Sequence, residues 1–362
     1  MKKFILFSAA FIFISLSVSF SQTNNDKAEA MFKEAMYEFD NGSLDKAIDL
    51  LESCIEIVPD SYVYRYELAY GYYTKKEYEK SIKLIKPLKK HKDCNFQVYQ
   101  LIGNSYDIMG YPDKAIETYD EGIKRFPDSG RLHFEKAIVY LSQNNLKEAV
   151  ANWETAVNTE PDYSSSYYYL AKYYSLHSES VWALIYGEIF CNLEKNSKRT
   201  LEISKLLYDT YSKTINFNEG KTNIDVQITA NPENLDYLTF LMNYGIVSSL
   251  STIDVEKNFN LANLIKIRKN FLSIWEQKGF LDDYPIVLLD WHQDLIDKGY
   301  FEAYNYWLFN AGNKDEFNAW YDSNESKFHD FDSWCSKNHI GVNTNNYFSK
   351  SYIKKLIKEK SK

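Results

Sequence analysis

The chain has 362 residues, of which 45 % are hydrophobic and 25 % charged, which excludes a disordered polymer and leaves room for two domains or one extended array. Its formal charge is −8, and −10 once the first 21 residues, with two lysines and no acid, are removed; this excludes the basic footprint that a nucleic-acid partner needs. Four widely spaced cysteines, Cys54, Cys94, Cys191 and Cys335, show no framework spacing and are expected to be mostly free thiols.

Met1-Lys2-Lys3 precedes an apolar run from Phe4 to about Val18, and Ser19-Phe20-Ser21 sets small residues three and one before a cut ahead of Gln22. This is the layout of a secretory signal peptide over 1–21, followed by a flexible stretch at 22–27. The run is short and serine-dotted for a membrane span, so no transmembrane segment is expected after cleavage. Export points to the periplasm or the exterior of a bacterium.

A 34-residue period begins at Ala28. Small residues recur at Ala35, Ala69, Gly103, Ala137 and Ala171, and again at Ala47, Ser81, Ala115, Ala149 and Ala183; Tyr72, Tyr106, Tyr140 and Tyr174 form a third ladder. Several ladders on one period define five units, 28–61, 62–95, 96–129, 130–163 and 164–195, each a pair of helices in a stacked solenoid. Pro59, Pro127 and Pro161 close their units, whereas Pro87 lies inside the second helix of unit two and should end or kink it early. Asn196-Ser197 can cap one further helix, from about Lys198 to Lys213 within 196–215, covering the open end of the array. Asn216 to Gly220 reads as a turn, and Ile224, Val226 and Ile228 alternate like a short strand, in a linker over 216–231.

From 232 to 349 the helical period returns without the ladder, predicting helices over Glu233–Ser249, Val255–Gln277, Ile286–Asp297, Glu302–Phe309 and Lys314–Lys337. Five of seven tryptophans lie here: Trp275, Trp291, Trp307, Trp320 and Trp334. Residues 350–362 read as a basic tail, a solvated helix end.

The array resembles the tetratricopeptide repeat family over about 28–195. Unit four carries the pattern most fully: Ala137, Tyr140, the turn at Asn144-Asn145, Leu146, Ala149, Trp153, Ala156 and Pro161. Small residues let helix backbones approach, bulky ones fill the space beside them, and proline stops the second helix. The expected fold is therefore all-α, a tetratricopeptide-repeat helical-hairpin solenoid of about five repeats followed by a helical, Trp-rich C-terminal domain. The resemblance implies a concave groove lined by the second, fifth, ninth and twelfth places of each unit. On that register Phe32, Met36 and Phe39, then Tyr66, Tyr70 and Tyr73, make an aromatic half. Gln100 and Asn104 make a polar middle, and Arg131, Phe134 and Lys172 follow. Phe32 and Tyr66 occupy places where some relatives hold a peptide carboxylate with lysine, so that subtype does not fit. An aromatic stripe suits a peptide with apolar anchors, unless the chain's own C-terminal domain or N-terminal segment fills it.

Signals for chemistry are sparse. There is no glycine-rich phosphate loop and no serine elbow. Cys335, His339, His329 and Asp330 form a loose cluster that reads as surface and packing residues rather than zinc ligands. Asp290-Trp291-His292-Gln293-Asp294 could hold general acid–base groups, but the spacing equally gives a solvated face with Asp290 and Asp294 and a buried face with Trp291 and Leu295. The expectation is a non-enzymatic, exported interaction module with no cofactor or metal and an unidentified protein or peptide partner. Two alternatives stay open: an enzyme or small-ligand binder with a site between the array and the C-terminal domain, and a structural subunit of a cell-envelope assembly.

Overall fold

A computed structural model describes residues 24–218, 221–225 and 238–360. The expected signal peptide and its cut lie outside these residues, as do Val226, Ile228 and Ala230-Asn231-Pro232. The described chain forms two compact units, one ending at Pro127 and the other beginning at Asp128.

The first unit is three helical pairs: α1 (24–40) with α2 (Leu44–Ile57), α3 (Tyr62–Thr74) with α4 (Tyr78–Ile85), and α5 (Phe96–Ile108) with α6 (Pro112–Arg125). The small-residue ladders sit where helices touch. Ala35, Ala47, Ala69, Ser81 and Ala115 are all fully buried, and Gly103 lies under the Tyr119 ring. α4 stops at Ile85, and a 3₁₀ turn over Lys86–Lys90 carries Pro87 at its start, which is the early ending that proline imposes.

Five turns close in the same way. Gly42, Lys76, Gly110, Asn144 and Ser178 stand 34 residues apart, and each has a left-handed backbone, with φ of 81°, 66°, 79°, 58° and 60°. Each is followed by an N–H that reaches back to the preceding helix, as in Ser43 N to Glu38 O at 2.9 Å and Glu77 N to Tyr72 O at 2.8 Å. This is the helix end at which glycine carries no Cβ penalty. A Cβ at Gly110 would meet nothing within 4 Å. Gly110→Ala is therefore expected to lower stability by about 1–2 kcal/mol through backbone strain alone, and Lys76→Gly to shift it the other way. Denaturant midpoints of the two variants check this; a neutral Gly110→Ala would contradict it.

The second unit starts with α7 (Gly130–Ser142) and α8 (Leu146–Thr159), then α9 (Ser164–Leu176) and α10 (Ser180–Leu193). α11 (Lys198–Thr214) follows, with Ser197 and Thr200 forming a reciprocal capping box. Every residue from Val181 to Asn192 is buried, so α10 is covered on all sides rather than on one stripe. Gly187 stands 34 residues after the bulky Trp153, and α11 packs onto it: an added Cβ would lie 2.9 Å from Leu207 and 3.1 Å from Ile203. Repeats four and five share one core with the C-terminal helices, from Phe134 to Ile353. The compact-unit boundary thus falls inside the repeat array, not at the end of the ladder near 195.

Beyond α11 a two-stranded antiparallel hairpin pairs β1 (Ile215–Asn218) with β2 (Lys221–Ile224), so Asn216 to Asn218, read as turn, are strand. The remaining helices are α12 (Leu238–Leu250), α13 (Leu261–Gln277), α14 (Phe280–Asp283), α15 (Val287–Asp297), α16 (Phe301–Phe309), α17 (Lys314–Cys335) and α18 (Lys350–Lys360). α13 starts six residues later than its apolar pattern suggests because Asn260 caps it, accepting from Asn263 N. α17 is kinked at Asn324.

The segment read as a basic tail is instead α18, anchored at its start. Ser349 Oγ donates to Asn158 at 2.7 Å, and the Lys350 N–H donates to Tyr186 Oη at 2.7 Å. Beneath them lies Glu154, buried in α8, accepting from Tyr174 and Tyr186 hydroxyls at 2.8 Å. All four cysteines are buried free thiols.

Candidate functional site

In the first unit, α3 and α5 flank a cleft of about 370 Å³. α3 contributes Tyr66, Glu67, Tyr70 and Tyr73; α5 contributes Gln97, Gln100, Leu101 and Asn104. Spacing of i, i+4 and i+7 puts the three tyrosines on one face of α3, and spacing of i, i+3 and i+7 lays Gln97, Gln100 and Asn104 along one face of α5. Ser61 and Asn95 start the two helices as side-chain caps, fixing their register. Tyr70 is 45 % exposed and stacks on Tyr73 at 6.3 Å. Tyr66 is half-buried beside Tyr62, and burial pushes its hydroxyl pKa well up. Tyr119 donates to Asn104 Oδ1 at 2.5 Å, so that amide is held in place.

Phe32, Met36 and Phe39 of α1 do not line this cleft. They are half-buried and pack on a core of Ala35, Ile48, Leu51 and Leu68, with Phe39 6.4 Å from the Tyr70 ring. Their role here is support for α3. The register stripe missed Glu67 and Leu101, each one place beyond a stripe position; a helix face is about 100° wide, so the next residue often flanks the stripe.

The second-unit candidates lie in different surroundings. Phe134 is 8 % exposed, wedged between Tyr163 and Tyr169 with ring centroids 5.3 and 5.6 Å away, and is a core residue rather than a groove residue. Arg131 pairs with Glu160 at 2.8 Å and lies over the Tyr163 ring. Lys172 pairs with Glu202 of α11 at 2.7 Å, Tyr168 donates to the same carboxylate at 2.5 Å, and Arg199 donates to Ser165 at 3.2 Å. At repeat five the chain's own α11 thus occupies the positions that would face a partner.

Sequence reading did not find a buried polar cluster in this unit. Glu188 of α10 accepts from Arg268 of α13, from His292 Nε2 at 2.6 Å and from Tyr304 at 2.8 Å, while Asn192 donates to Tyr304 at 2.7 Å. Burial alone would raise the Glu188 pKa, but the Arg268 charge and the hydrogen bonds from His292 and Arg268 bring it down to about 2. Burial holds the His292 pKa below its ordinary value, so the ring is neutral near pH 7 and donates from Nε2. The cue was present: one carboxylate inside the apolar run of α10, and one arginine on the apolar face of α13. A cavity of about 60 Å³ reaches this cluster. At roughly 10–15 Å³ per site it has room for about four to six water molecules, too little for a substrate of ordinary size.

The acid–base motif separates as its spacing allows. Asp290 and Asp294 are exposed, Trp291 and Leu295 are buried, and His292 joins the Glu188 cluster. His329 is exposed on α17 beside Glu325 and does not meet His292. Among the described residues, no three His, Cys, Asp or Glu side chains group as metal ligands. No described helix is long and apolar enough to cross a membrane.

Helical pairs with small residues at their contacts and left-handed turns at a 34-residue period define the class of protein. The family model described as tetratricopeptide repeat matches residues 101–164, across units three and four of the array. Among solved structures, a thermophilic TPR protein of Thermus thermophilus is 17 % identical, covering 50 % of this chain and 98 % of its own at a TM-score of 0.42. PilF of Pseudomonas aeruginosa is 18 % identical, covering 52 % and 86 % at 0.44. YrrB, described as a TPR protein with an unusual peptide-binding site, is 13 % identical, covering 48 % and 90 % at 0.35. No curated protein matches the chain.

Proposed function

We propose that this chain is an exported, non-enzymatic interaction module that holds a peptide segment of another protein in the α3–α5 cleft of its first unit. One observation carries the reading: an open cleft with a tyrosine wall on one side and an amide wall on the other. Tyrosine gives a rigid contact surface with little rotamer entropy to lose, and Gln and Asn amides can pair with the main chain of an extended peptide. The wall helices are capped and packed, so the surface is formed before a partner arrives.

Truncating Tyr66 and Tyr70 together to Ala is expected to weaken partner binding by about 2 kcal/mol or more, roughly thirtyfold. Tyr70 is 45 % exposed and Tyr66 only half-buried, so melting should move little by comparison. Melting and partner retention measured on the same variant decide the matter. Retained binding would sink the proposal, and a large stability loss would mean the tyrosines serve the fold.

Export is part of the reading, supported by the basic start, apolar run and small residues before Gln22. The native mature chain is expected to begin at Gln22. N-terminal mass analysis checks it, and an intact Met1 would contradict it.

A further inference from the structure

We propose that the α3–α5 cleft receives a lysine or arginine side chain of its partner, held against the tyrosine wall and neutralised by Glu67. The proposal rests on the peptide-binding reading above and adds the chemistry of the anchor.

Charge is distributed unevenly over this unit. Some of its acids are matched by lysines of the same chain, and most of the others are exposed to water. Lys46 bridges Glu34 and Glu38 at 3.0 and 2.7 Å, Lys75 reaches Asp45 at 2.6 Å, Lys80 reaches Glu77 at 2.5 Å, and Lys89 pairs with Glu121. Glu67 has neither a lysine partner nor full exposure. It is the one charged side chain lining the cleft, it is half-buried, and among the described residues no cation pairs with it. Burial raises its pKa, which is the mark of a carboxylate that has lost water and gained no counter-charge. Asp107 is similar. It stands one turn beyond Asn104 on the Gln100–Asn104 stripe, half-buried and with no ion-pair partner among the described residues, and burial raises its pKa as well.

The tyrosine wall suits the same guest. Elsewhere in this unit lysines lie over tyrosine faces: Lys80 over Tyr72 at 5.1 Å, Lys89 over Tyr99 at 4.7 Å and Lys114 over Tyr111 at 4.4 Å. No cation of the described chain lies over Tyr66 or Tyr70. An incoming ammonium or guanidinium would gain the ring quadrupole and a desolvated carboxylate together, and each interaction strengthens where water is excluded. An acidic anchor would meet Glu67 and Asp107 with no positive group in the lining to offset them. A purely apolar anchor would fill the space but leave Glu67 dehydrated and unpaired.

The test is a synthetic array of acetylated, amidated nonapeptides with randomised flanks and a fixed central residue: Lys, Arg, norleucine or Glu. It is probed with the mature chain and with Glu67→Gln, Tyr70→Ala and Tyr66→Ala/Tyr70→Ala variants. Wild type is expected to retain Lys and Arg peptides at least tenfold over norleucine and to reject Glu. The preference should collapse in Glu67→Gln, while retention of norleucine peptides stays within about twofold. Equal retention of norleucine and Lys peptides that still depends on Tyr66 and Tyr70 would overturn the cationic anchor and leave the groove reading standing. Retention unaffected by any of the variants would overturn both. Melting of Glu67→Gln alongside wild type identifies a loss that comes from unfolding, and Tyr70→Ala, altered at an exposed side chain, keeps the groove arm readable in that case.

Discussion

Arg268→Leu is expected to lower the stability of the second unit by about 3–5 kcal/mol, because removing one member of a buried ion pair strands the other. Glu188 and Arg268 are 3 % and 4 % exposed at their side chains, so bulk solvent screens neither charge. The remaining donors to Glu188, His292 and Tyr304, are too few to hold it ionised, and its pKa should climb from about 2 toward and beyond the ordinary value. At roughly 2–4 °C per kcal/mol for a unit of this size, the melting temperature should fall by roughly 6–20 °C. A double replacement of Glu188 and Arg268 by apolar residues should cost far less than the single change, since it leaves no stranded charge. Equal losses in the single and double variants would contradict this account of the cluster.

Glu154→Leu should come next in size. It leaves the buried hydroxyls of Tyr174 and Tyr186 without their acceptor, at about 1–3 kcal/mol each. It also loosens the start of α18, where Ser351 contacts the same carboxylate at 3.4 Å. Glu154→Gln keeps an acceptor and should cost much less. The two buried acids respond to pH in opposite senses. The Glu188 pKa is depressed on folding, so its contribution is full above the ordinary value near 4.5 and is lost as pH falls toward 2. Burial raises the Glu154 pKa, so its contribution is full below the ordinary value and is lost as pH rises through the folded one. A stability–pH profile of Glu154→Gln should lose the second slope and keep the first. A profile parallel to wild type would mean that Glu154 titrates as it does in the unfolded chain.

The array was legible because its constraint is local and repeated. A small residue every 34 places marks a helix contact wherever it stands, and Gly42, Gly110 and Asn144 mark the turn. Lys76 and Ser178 adopt the same backbone without the glycine cue, so there only the period reveals the turn. The unit boundary was not legible, because α10 belongs by sequence to repeat five yet is also covered by α13 and α15, and no periodicity records partners more than 60 residues away. The beginning of α18 was hidden for the same reason: Ser349 and Ser351 find Asn158 across 190 residues. Within the candidate site the tyrosines and the amides Gln100 and Asn104 could be placed on helix faces from their spacing alone. Glu67 was not legible, since its meaning depends on the lack of a counter-charge, and pairing in three dimensions cannot be counted along a chain.

The central claim is that the α3–α5 cleft is where another protein is held. A photo-crosslinking amino acid placed at Tyr70, in the chain expressed in its own cells, tests it most directly. The matched control is the same residue at Lys83, exposed on α4. The account predicts a discrete adduct from position 70 that the Tyr66→Ala background weakens, and none from position 83. Adducts of equal yield from both positions, or from position 83 alone, would contradict it.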